Sequence, residues 1–335
     1  MDAPVLVEVT RGGIVESAHR GAVAVLDAAG RPLLALGDID RPVFPRSAVK
    51  ALQALPLIES GAAERFGLTD AGIALACASH SGEPEHAETA AAMLAAAGRD
   101  SQCLECGAHW PMGDAAARAL AASGRQPSAL HNNCSGKHAG FICLALHEGH
   151  DPRGYIGPDH PAMRRVTAAL GEMTGFDLAR TARGIDGCSI PTYAVPLRNL
   201  AHAFARFGTG AGLAPDRARA AARIRAAVAA SPFHVAGSGR FDTLAMTALG
   251  ARAFVKTGAE GVYCAALPEA GLGIALKIED GASRAAEIVM AALIARFLPL
   301  AAQEAAAIAA LADKPLTNWN GVEFGRLRPA PALAG

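Results

Sequence analysis

Lysine is the residue type whose placement points most directly to chemistry in this chain. The sequence contains five lysines and 26 arginines, which together make up its 31 basic residues. Three of the lysines, Lys50, Lys137 and Lys256, lie in short polar motifs. Arginine keeps its charge under ordinary conditions, whereas a lysine that is buried or beside another cation can lose its proton and act as a base. The distribution therefore predicts deprotonatable lysine amines in an active site.

The first motif is Ser47-Ala48-Val49-Lys50, at the start of a predicted helix. A spacing of three places the serine and the lysine on one helix face, where the amine can take the serine proton. The structural alternative is an N-cap serine followed by a solvated lysine.

The second motif, Lys256-Thr257-Gly258, ends a predicted strand. The lysine can point into a cleft there, the threonine can bind a substrate carboxylate, and the glycine lets a substrate backbone approach. The structural alternative is a strand end with a turn. Together with the serine–lysine motif, this tripeptide resembles the signature elements of penicillin-recognising serine enzymes.

A second serine lies in Cys77-Ala78-Ser79-His80-Ser81-Gly82-Glu83, which follows an apolar run. Ser79 could relay protons between two lysines, and the alternative is a polar loop after a buried segment.

A third polar segment runs from His131 to His138, before a predicted apolar helix. Its Cys134 could bind Zn²⁺ with a distant thiolate, for which Cys188 is the best candidate. The alternative is helix capping together with two buried thiols. The rival metal site is Cys103-x-x-Cys106-x-x-His109.

Composition excludes several classes of protein. The net charge is zero and the pI is near 7.2, which argues against a nucleic-acid surface or a polybasic membrane patch. The N-terminal residues show no secretory signal, and the longest late apolar run, residues 288–295, is far shorter than the roughly 20 residues that cross a bilayer. The seven cysteines are odd in number and widely spaced, so we expect reduced thiols. These features predict a soluble, cytoplasmic protein without nucleic-acid or membrane partners.

The elements that must position these motifs follow a simple order. Short branched runs bounded by turn residues predict strands near both chain ends, at residues 5–9, 21–26, 32–36, 253–257, 261–266 and 273–278. The chain between about residues 60 and 235 is alanine-rich and mostly helical, and another helix is predicted over 283–298. This order predicts an α+β fold with an antiparallel sheet built from both chain ends. We expect one domain over 1–335, with sheet regions 1–45 and 240–335 and a mainly helical region 46–239.

At these motifs the sequence resembles the rhizobial-type L-asparaginases, also called the asparaginase II or class 3 family. The resemblance covers nearly the whole chain, and its most specific phrase runs from His131 to Gly140. The other matching segments are residues 8–12, 44–50, 78–83, 106–111, 186–188, 239–243 and 256–261. It implies a fold related to serine β-lactamases and glutaminases, a homodimer, and hydrolysis of L-asparagine to L-aspartate and ammonia.

The resemblance also implies roles for individual residues. In that family two Ser–Lys pairs share the site, and they correspond here to Ser47 with Lys50 and Ser79 with Lys256. One zinc ion is bound through two cysteines and a lysine, which correspond to Cys134, Cys188 and Lys137.

A zwitterionic amino-acid substrate needs partners of both charges, and the candidates for this task are Arg46, His138 and Asp186. Two alternatives remain at this point: a penicillin-recognising hydrolase or peptidase, and a zinc-structured protein that uses its thiols for binding. Preference for asparagine over glutamine is not fixed by the sequence, because one methylene changes binding by only a few kcal/mol.

Overall fold

The computed structural model of the chain describes residues 3–333, which contain twelve strands. They are β1 (Val5–Arg11), β2 (Ile14–Asp27), β3 (Pro32–Leu36), β4 (Pro42–Val43), β5 (Arg183–Ile185), β6 (Pro191–Tyr193), β7 (Val195–Pro196), β8 (Phe254–Thr257), β9 (Val262–Leu267), β10 (Leu272–Ile278), β11 (Lys314–Thr317) and β12 (Glu323–Pro329).

The same residues contain fourteen α-helices, most of them in the middle of the chain. They are α1 (Lys50–Gln53), α2 (Leu55–Glu59), α3 (Ala62–Arg65), α4 (Asp70–Ala76), α5 (Pro84–Ala96), α6 (Asp114–Ala122), α7 (Ser135–His147), α8 (Pro161–Thr174), α9 (Leu197–Thr209), α10 (Pro215–Ala230), α11 (Phe233–Ala236), α12 (Phe241–Leu249), α13 (Ser283–Phe297) and α14 (Ala302–Ala312). None of the helices described is long and apolar enough to cross a membrane.

The chain forms two compact units. One, the sheet unit, contains the chain up to Ala48, Val195–Thr209, and the chain from Ala245 onward. The other, the helical unit, contains Val49–Ala194 and Gly210–Leu244. The segment that forms α9 thus belongs with the sheet, although the sequence analysis assigns it to the helical region. The single domain over 1–335 stays a prediction.

The sheet unit is built around one antiparallel sheet of eight strands. Their order is β11-β12-β1-β2-β10-β9-β8, and β3 pairs with β2. Every residue of β9 is buried, so both faces of the sheet are covered at that strand. Helix α9 packs on β2, β9 and β10, while α13 packs on β1, β9, β10 and β12. The predicted α+β fold, with a sheet drawn from both chain ends, is confirmed.

The helical unit surrounds α7, whose residues are buried from Ser135 to Ala145. Helix α7 contacts α2, α3, α4, α5 and α8. Its start lies very close to the end of α4, because a Cβ atom added to Gly136 would come within 2.5 Å of the Leu75 carbonyl oxygen. Only glycine allows the backbones to approach this closely. The first residues of α7, which include Lys137 and His138, are thereby fixed inside the unit.

Two details differ from the sequence-based expectations. The helix predicted to start at Ser47 is a short 3₁₀ turn over Arg46–Val49, followed by the separate helices α1 and α2. The C-terminal elements α14, β11 and β12 were not predicted. Strand β12 has one buried residue, Leu327, among exposed and half-buried ones and carries charged residues, so it lacks the continuous apolar run that reveals β9.

The close packing of α9 on β10 gives a test of the sheet unit. A Cβ atom at Gly273 would lie 2.0 Å from the Ala201 carbonyl oxygen and 2.2 Å from the Ala205 nitrogen. Gly273→Ala should therefore destabilise the protein by about 3 kcal/mol or more. Gly171→Ala is the matched control, because its Cβ would meet only ordinary contacts at 3.7 Å within α8. It should instead stabilise by about 0.5–1 kcal/mol. The midpoints of urea unfolding measure both changes in stability. Equal midpoints for the two variants would contradict the close packing of α9 on β10.

Candidate active site

The segment that carries Ser47 lies in the sheet unit and has an unusual backbone. Arg46 adopts a left-handed conformation with φ of 51°, which is uncommon for a residue other than glycine. The turn closes with a hydrogen bond from the Ala48 N–H to the Pro45 carbonyl oxygen at 3.0 Å. Ser47 is half-buried. Non-glycine residues held in this region cluster at functional sites, which makes this turn a candidate.

The end of β8 packs directly against this turn. A Cβ atom at Gly258 would lie 2.6 Å from the Pro45 carbonyl oxygen and 3.2 Å from the Ala48 Cβ. Lys256, two residues earlier, is fully buried, and its Nζ donates to the Thr257 carbonyl oxygen at 2.9 Å. The sheet unit therefore brings the strand end with Lys256 next to the turn with Ser47.

Lys50 lies in the helical unit, where it begins α1 with a side chain that is 1% exposed. Its Nζ contacts the Ala78 carbonyl oxygen at 2.5 Å, the Ser79 Oγ at 2.9 Å and the Cys134 Sγ at 3.1 Å. Among the described residues, the hydroxyl group that Lys50 contacts is thus that of Ser79. A lysine amine at hydrogen-bond distance from a buried serine can exchange a proton with it.

The backbone around Ser79 is anchored at several points. The Ser79 N–H donates to the Val235 carbonyl oxygen at 2.9 Å, and the Ser81 N–H donates to that of Ala236 at 2.8 Å. Between them, the His80 N–H donates to the Asn133 carbonyl oxygen at 3.2 Å. These bonds hold the loop after α4 against two other segments of the helical unit, so Ser79 has a defined position.

The thiols of Cys134 and Cys188 meet beside Lys137 in the same unit. The Lys137 Nζ lies 3.0 Å from the Cys188 Sγ, and the Cys188 Sγ lies 3.7 Å from the Asp186 Oδ2. The hydrogen bond from Cys188 holds the pKa of Cys134 well below its usual value, and the charges of Lys50 and Lys137 add to this effect. The same hydrogen bond, followed by burial, raises the pKa of Cys188. The two sulfurs are therefore joined by a hydrogen bond that favours the ionised form at Cys134 over that at Cys188.

Lys137 and Asp186 complete this cluster. Burial acts to lower the pKa of Lys137, but the sulfurs of Cys188 and Cys134 raise it overall. Asp186 is held by a tight turn in which its N–H donates to the Ile190 carbonyl oxygen and its carbonyl oxygen accepts from the Ser189 N–H. Ser189 has a φ of 74°, a second strained position beside candidate site residues.

His138 is fully buried one residue after Lys137. Burial, and then the charges of Lys137 and Lys50, lower its pKa well below the usual value. Its Nδ1 lies 2.6 Å from the hydroxyl of Tyr155, which also accepts from the Glu105 N–H at 2.9 Å. The His138 Nε2 is buried without a hydrogen-bond partner among residues 3–333. As a neutral ring, His138 can bind a substrate only through a hydrogen bond and not through charge.

Metal-ligating groups are limited in the described part of the chain. No group of three or more His, Cys, Asp or Glu side chains there is arranged to hold a metal ion. The rival site is disfavoured because both ring nitrogens of His109 are engaged: Nε2 accepts from the Asn133 N–H at 3.0 Å, and Nδ1 contacts the Trp110 carbonyl oxygen at 2.6 Å. A site at Cys134 and Cys188 would need the Lys137 amine as its third donor.

Three aromatic residues that support the site were not predicted from the sequence. Tyr155 contacts His138, and His80 and His86 stack beside Ser79 with ring centroids 4.8 Å apart. His80 could have been noticed from its place in the Ser79 motif, whereas Tyr155 lies 17 residues from His138 and has no local signal.

A family model described as L-asparaginase II matches residues 7–329. No curated protein matches the chain significantly. Among solved structures, the chain is similar to a β-lactamase from Mycobacterium bovis, with 17% identity, 83% of this chain and 95% of that chain covered, and a TM-score of 0.38.

Two further solved structures are similar at the same level. One is Mglu, with 16% identity, coverage of 80% of this chain and 64% of that one, and a TM-score of 0.36. The other is a simvastatin synthase mutant from Aspergillus terreus, with 14% identity, coverage of 77% and 86%, and a TM-score of 0.36. These structural similarities are too low to carry an argument.

The buried histidines give a test of the site's electrostatics. Burial is the largest cause that lowers the pKa of His80, His86 and His138, so the folded state binds protons more weakly than the unfolded chain. Stability should be full above about pH 6.5 and fall below it, with a slope of about 4 kcal/mol per pH unit when all three differ between the states. Urea unfolding between pH 7 and pH 5 measures this slope. His80→Asn should reduce it by about a third, and an unchanged slope would contradict the assignment.

Proposed function

The chain belongs to the L-asparaginase II family, and from this premise we propose that it hydrolyses L-asparagine to L-aspartate and ammonia. The observation that best supports a Ser–Lys mechanism is the contact of 2.9 Å between the buried Lys50 amine and the Ser79 hydroxyl. An amide needs a strong nucleophile, and serine becomes one only when a neighbouring base removes its proton. The proposal is tested by measuring ammonia release from L-asparagine, with L-glutamine as the competing substrate.

The family resemblance implies the two Ser–Lys pairs but does not decide which pair performs which step, and we propose the following assignment. Ser47 attacks the side-chain amide carbon, so that a Ser47 Oγ–C bond forms and the C–N bond breaks, and Lys50 takes the serine proton. Ser79 and Lys256 deliver a proton to the departing ammonia and then activate the water that hydrolyses the ester. The contact with Ser79 supports a role for Lys50 in exchanging protons with this second serine as well.

The substrate's two charged groups need partners of opposite sign. We propose that Asp186 binds the α-ammonium group and that Arg46 binds the α-carboxylate. In the tautomer in which the Tyr155 hydroxyl donates to Nδ1, the neutral ring of His138 would supply a single N–H donor from Nε2. The homodimer and the cytoplasmic location expected from the sequence stay predictions.

A zinc site is part of the proposal. Cys134, Cys188 and Lys137 fit a zinc ion chemically, because Cys188 forms hydrogen bonds with both of the other groups and two sulfurs with one nitrogen form a donor set that Zn²⁺ accepts. The bound ion would compete with the Lys137 proton, since only a neutral amine is a ligand. When bound, zinc would supply positive charge that orients the surrounding groups.

Lysine chemistry at position 50 can be tested by a conservative change. Lys50→Arg keeps a positive charge but cannot become a base, so kcat for asparagine should fall roughly 10³-fold. Lys314→Arg is the matched control, because the side chain of Lys314 pairs with Glu287 at 2.7 Å in a half-buried ion pair and has no other polar partner among the residues described. It should leave kcat within about twofold of the wild type. If K50R hydrolyses asparagine at nearly the wild-type rate, Lys50 is not the base.

The nucleophile has its own test. Ser47→Ala should abolish ammonia release, because no other step can replace formation of the ester. Ser123→Ala removes a hydroxyl that donates to the Leu120 carbonyl oxygen, its one partner within residues 3–333, and should leave turnover unchanged. An active S47A protein would reject Ser47 as the nucleophile.

Metal content can be measured independently of activity. The purified protein should bind about one zinc per chain, and C188S or K137R should retain less than about a tenth of it. Cys103→Ser is the control, because it removes a thiol of the rival motif. If C188S contains as much zinc as the wild-type protein and C103S loses it, the metal site lies at the rival motif and not at Cys188.

A further inference from the structure

Two buried histidines form a stacked column beside Ser79. The rings of His80 and His86 lie 4.8 Å apart at an angle of 11°, and His86 stacks in turn on Phe233 at 4.5 Å and 14°. Both histidine side chains are fully buried. His80 immediately follows Ser79, so the column lies against the loop that presents this hydroxyl.

The protonation of both rings follows from their hydrogen bonds. The His80 Nδ1 accepts from the Gly82 N–H at 3.1 Å, and the His86 Nδ1 accepts from the Glu83 N–H at 3.2 Å. A backbone N–H can only donate, so each Nδ1 must lack a proton. Each Nε2 therefore carries the proton: His80 donates to the Ser135 Oγ at 2.9 Å, and His86 donates to the Phe233 carbonyl oxygen at 3.1 Å.

These bonds tie the Ser79 loop to two neighbours at once. Two consecutive N–H groups of the loop, those of Gly82 and Glu83, end on the column. The Nε2 atom of His80 connects the column to Ser135 at the start of α7, and that of His86 connects it to Phe233 at the start of α11. The loop is also closely packed against a neighbouring segment. Gly82 has a φ of 74°, and a Cβ atom there would lie 2.9 Å from the Pro111 Cα.

We propose that His80 and His86 are positioning residues, which hold Ser79 at hydrogen-bond distance from Lys50 through this neutral, tautomer-locked column. The inference rests on the proposed function in one respect, namely that the Ser79–Lys50 contact takes part in amide hydrolysis. Neither histidine exchanges protons with the substrate. Their task is to fix the serine, as precise placement of reacting groups supplies a large share of catalysis.

Burial favours the neutral form of both rings, and the surrounding charges differ between the two. His80 is faced by cations or groups that can become cations, namely His86, Lys50, His109 and His131. His86 is faced by His234 and by the carboxylates of Glu83 and Glu85. Burial is nevertheless the largest cause that lowers the pKa of both rings. A protonated His80 would also lose the bond from the Gly82 N–H, since two donors would then face each other.

The test uses substitutions that separate stacking from hydrogen bonding. His80→Phe keeps a flat ring for the stack but removes both ring nitrogens. His80→Asn keeps an acceptor near the place of Nδ1 and so can still receive the Gly82 N–H. His160→Phe is the matched control: His160 also accepts a backbone N–H, from Ala162, and contacts a carbonyl oxygen, that of Asp151, but it has no described contact with the site.

The expected pattern is a loss of kcat with little change in KM. H80F should lower kcat for asparagine roughly 10²-fold with KM within about threefold, and H80N should recover at least about tenfold of that loss. H160F should lose stability but keep the wild-type kcat. If H80F and H160F have equal kcat, or if H80N recovers nothing, the positioning role is rejected.

A crystal structure of H80F decides the point without any substrate. The Ser79 Oγ should move more than about 3.5 Å from the Lys50 Nζ, beyond hydrogen-bond distance. A contact that stays at the wild-type distance overturns the inference. If the wild-type protein releases no ammonia from asparagine, the proposed function fails, while this distance still decides whether the column holds the serine.

Discussion

The site depends on the burial of lysine amines in a protein interior. Lys50 and Lys137 are both nearly inaccessible to solvent in the helical unit. An ammonium group removed from water is strongly destabilised unless anions or carbonyl oxygens replace the lost hydration. The unit supplies the Ala78 carbonyl oxygen, the Ser79 hydroxyl and the two cysteine sulfurs for this purpose. The Cys134 sulfur lies 3.1 Å from the Lys50 amine, and after the hydrogen bond from Cys188 the charges of both lysines lower the pKa of this thiol.

This charge balance also explains the histidines around it. Another cation near Lys50 and Lys137 would be repelled, and the charges of these lysines lower the pKa of His138 after burial has done so. The same holds for His80, which is faced by Lys50. Neutral rings can serve as directed donors and acceptors at fixed distances, as in the contacts of His138 with Tyr155 and of His80 with Ser135. Burial, and after it the charges of the neighbouring cationic groups, thus keep these rings neutral.

Much of the fold could be predicted because its signals are local. The strands β1, β3, β8, β9 and β10 are short branched runs between turn residues, and the structure confirms the α+β class. The residue types of the site were also visible, since lysine is rare and its motifs are polar. What the sequence could not provide are contacts between distant segments. Lys50 meets Cys134, 84 residues away, and His86 meets Phe233, 147 residues away, and no pattern of either segment specifies its partner.

The two lysines outside the motifs, Lys277 and Lys314, lie in different environments. Lys314 fits the expectation of an ordinary surface residue, because it forms a half-buried ion pair with Glu287. Lys277 does not fit it as well: its Nζ donates to the carbonyl oxygens of Glu260 and Ile278 at 2.6 Å each, and burial lowers its pKa. An arginine at this place would carry a larger, planar head group that two converging carbonyl oxygens accommodate less easily than a compact ammonium. Lysine at a partly buried position can therefore be favoured by the small size of its charged group as well as by a capacity to release a proton, and only the second property marks a candidate catalytic residue.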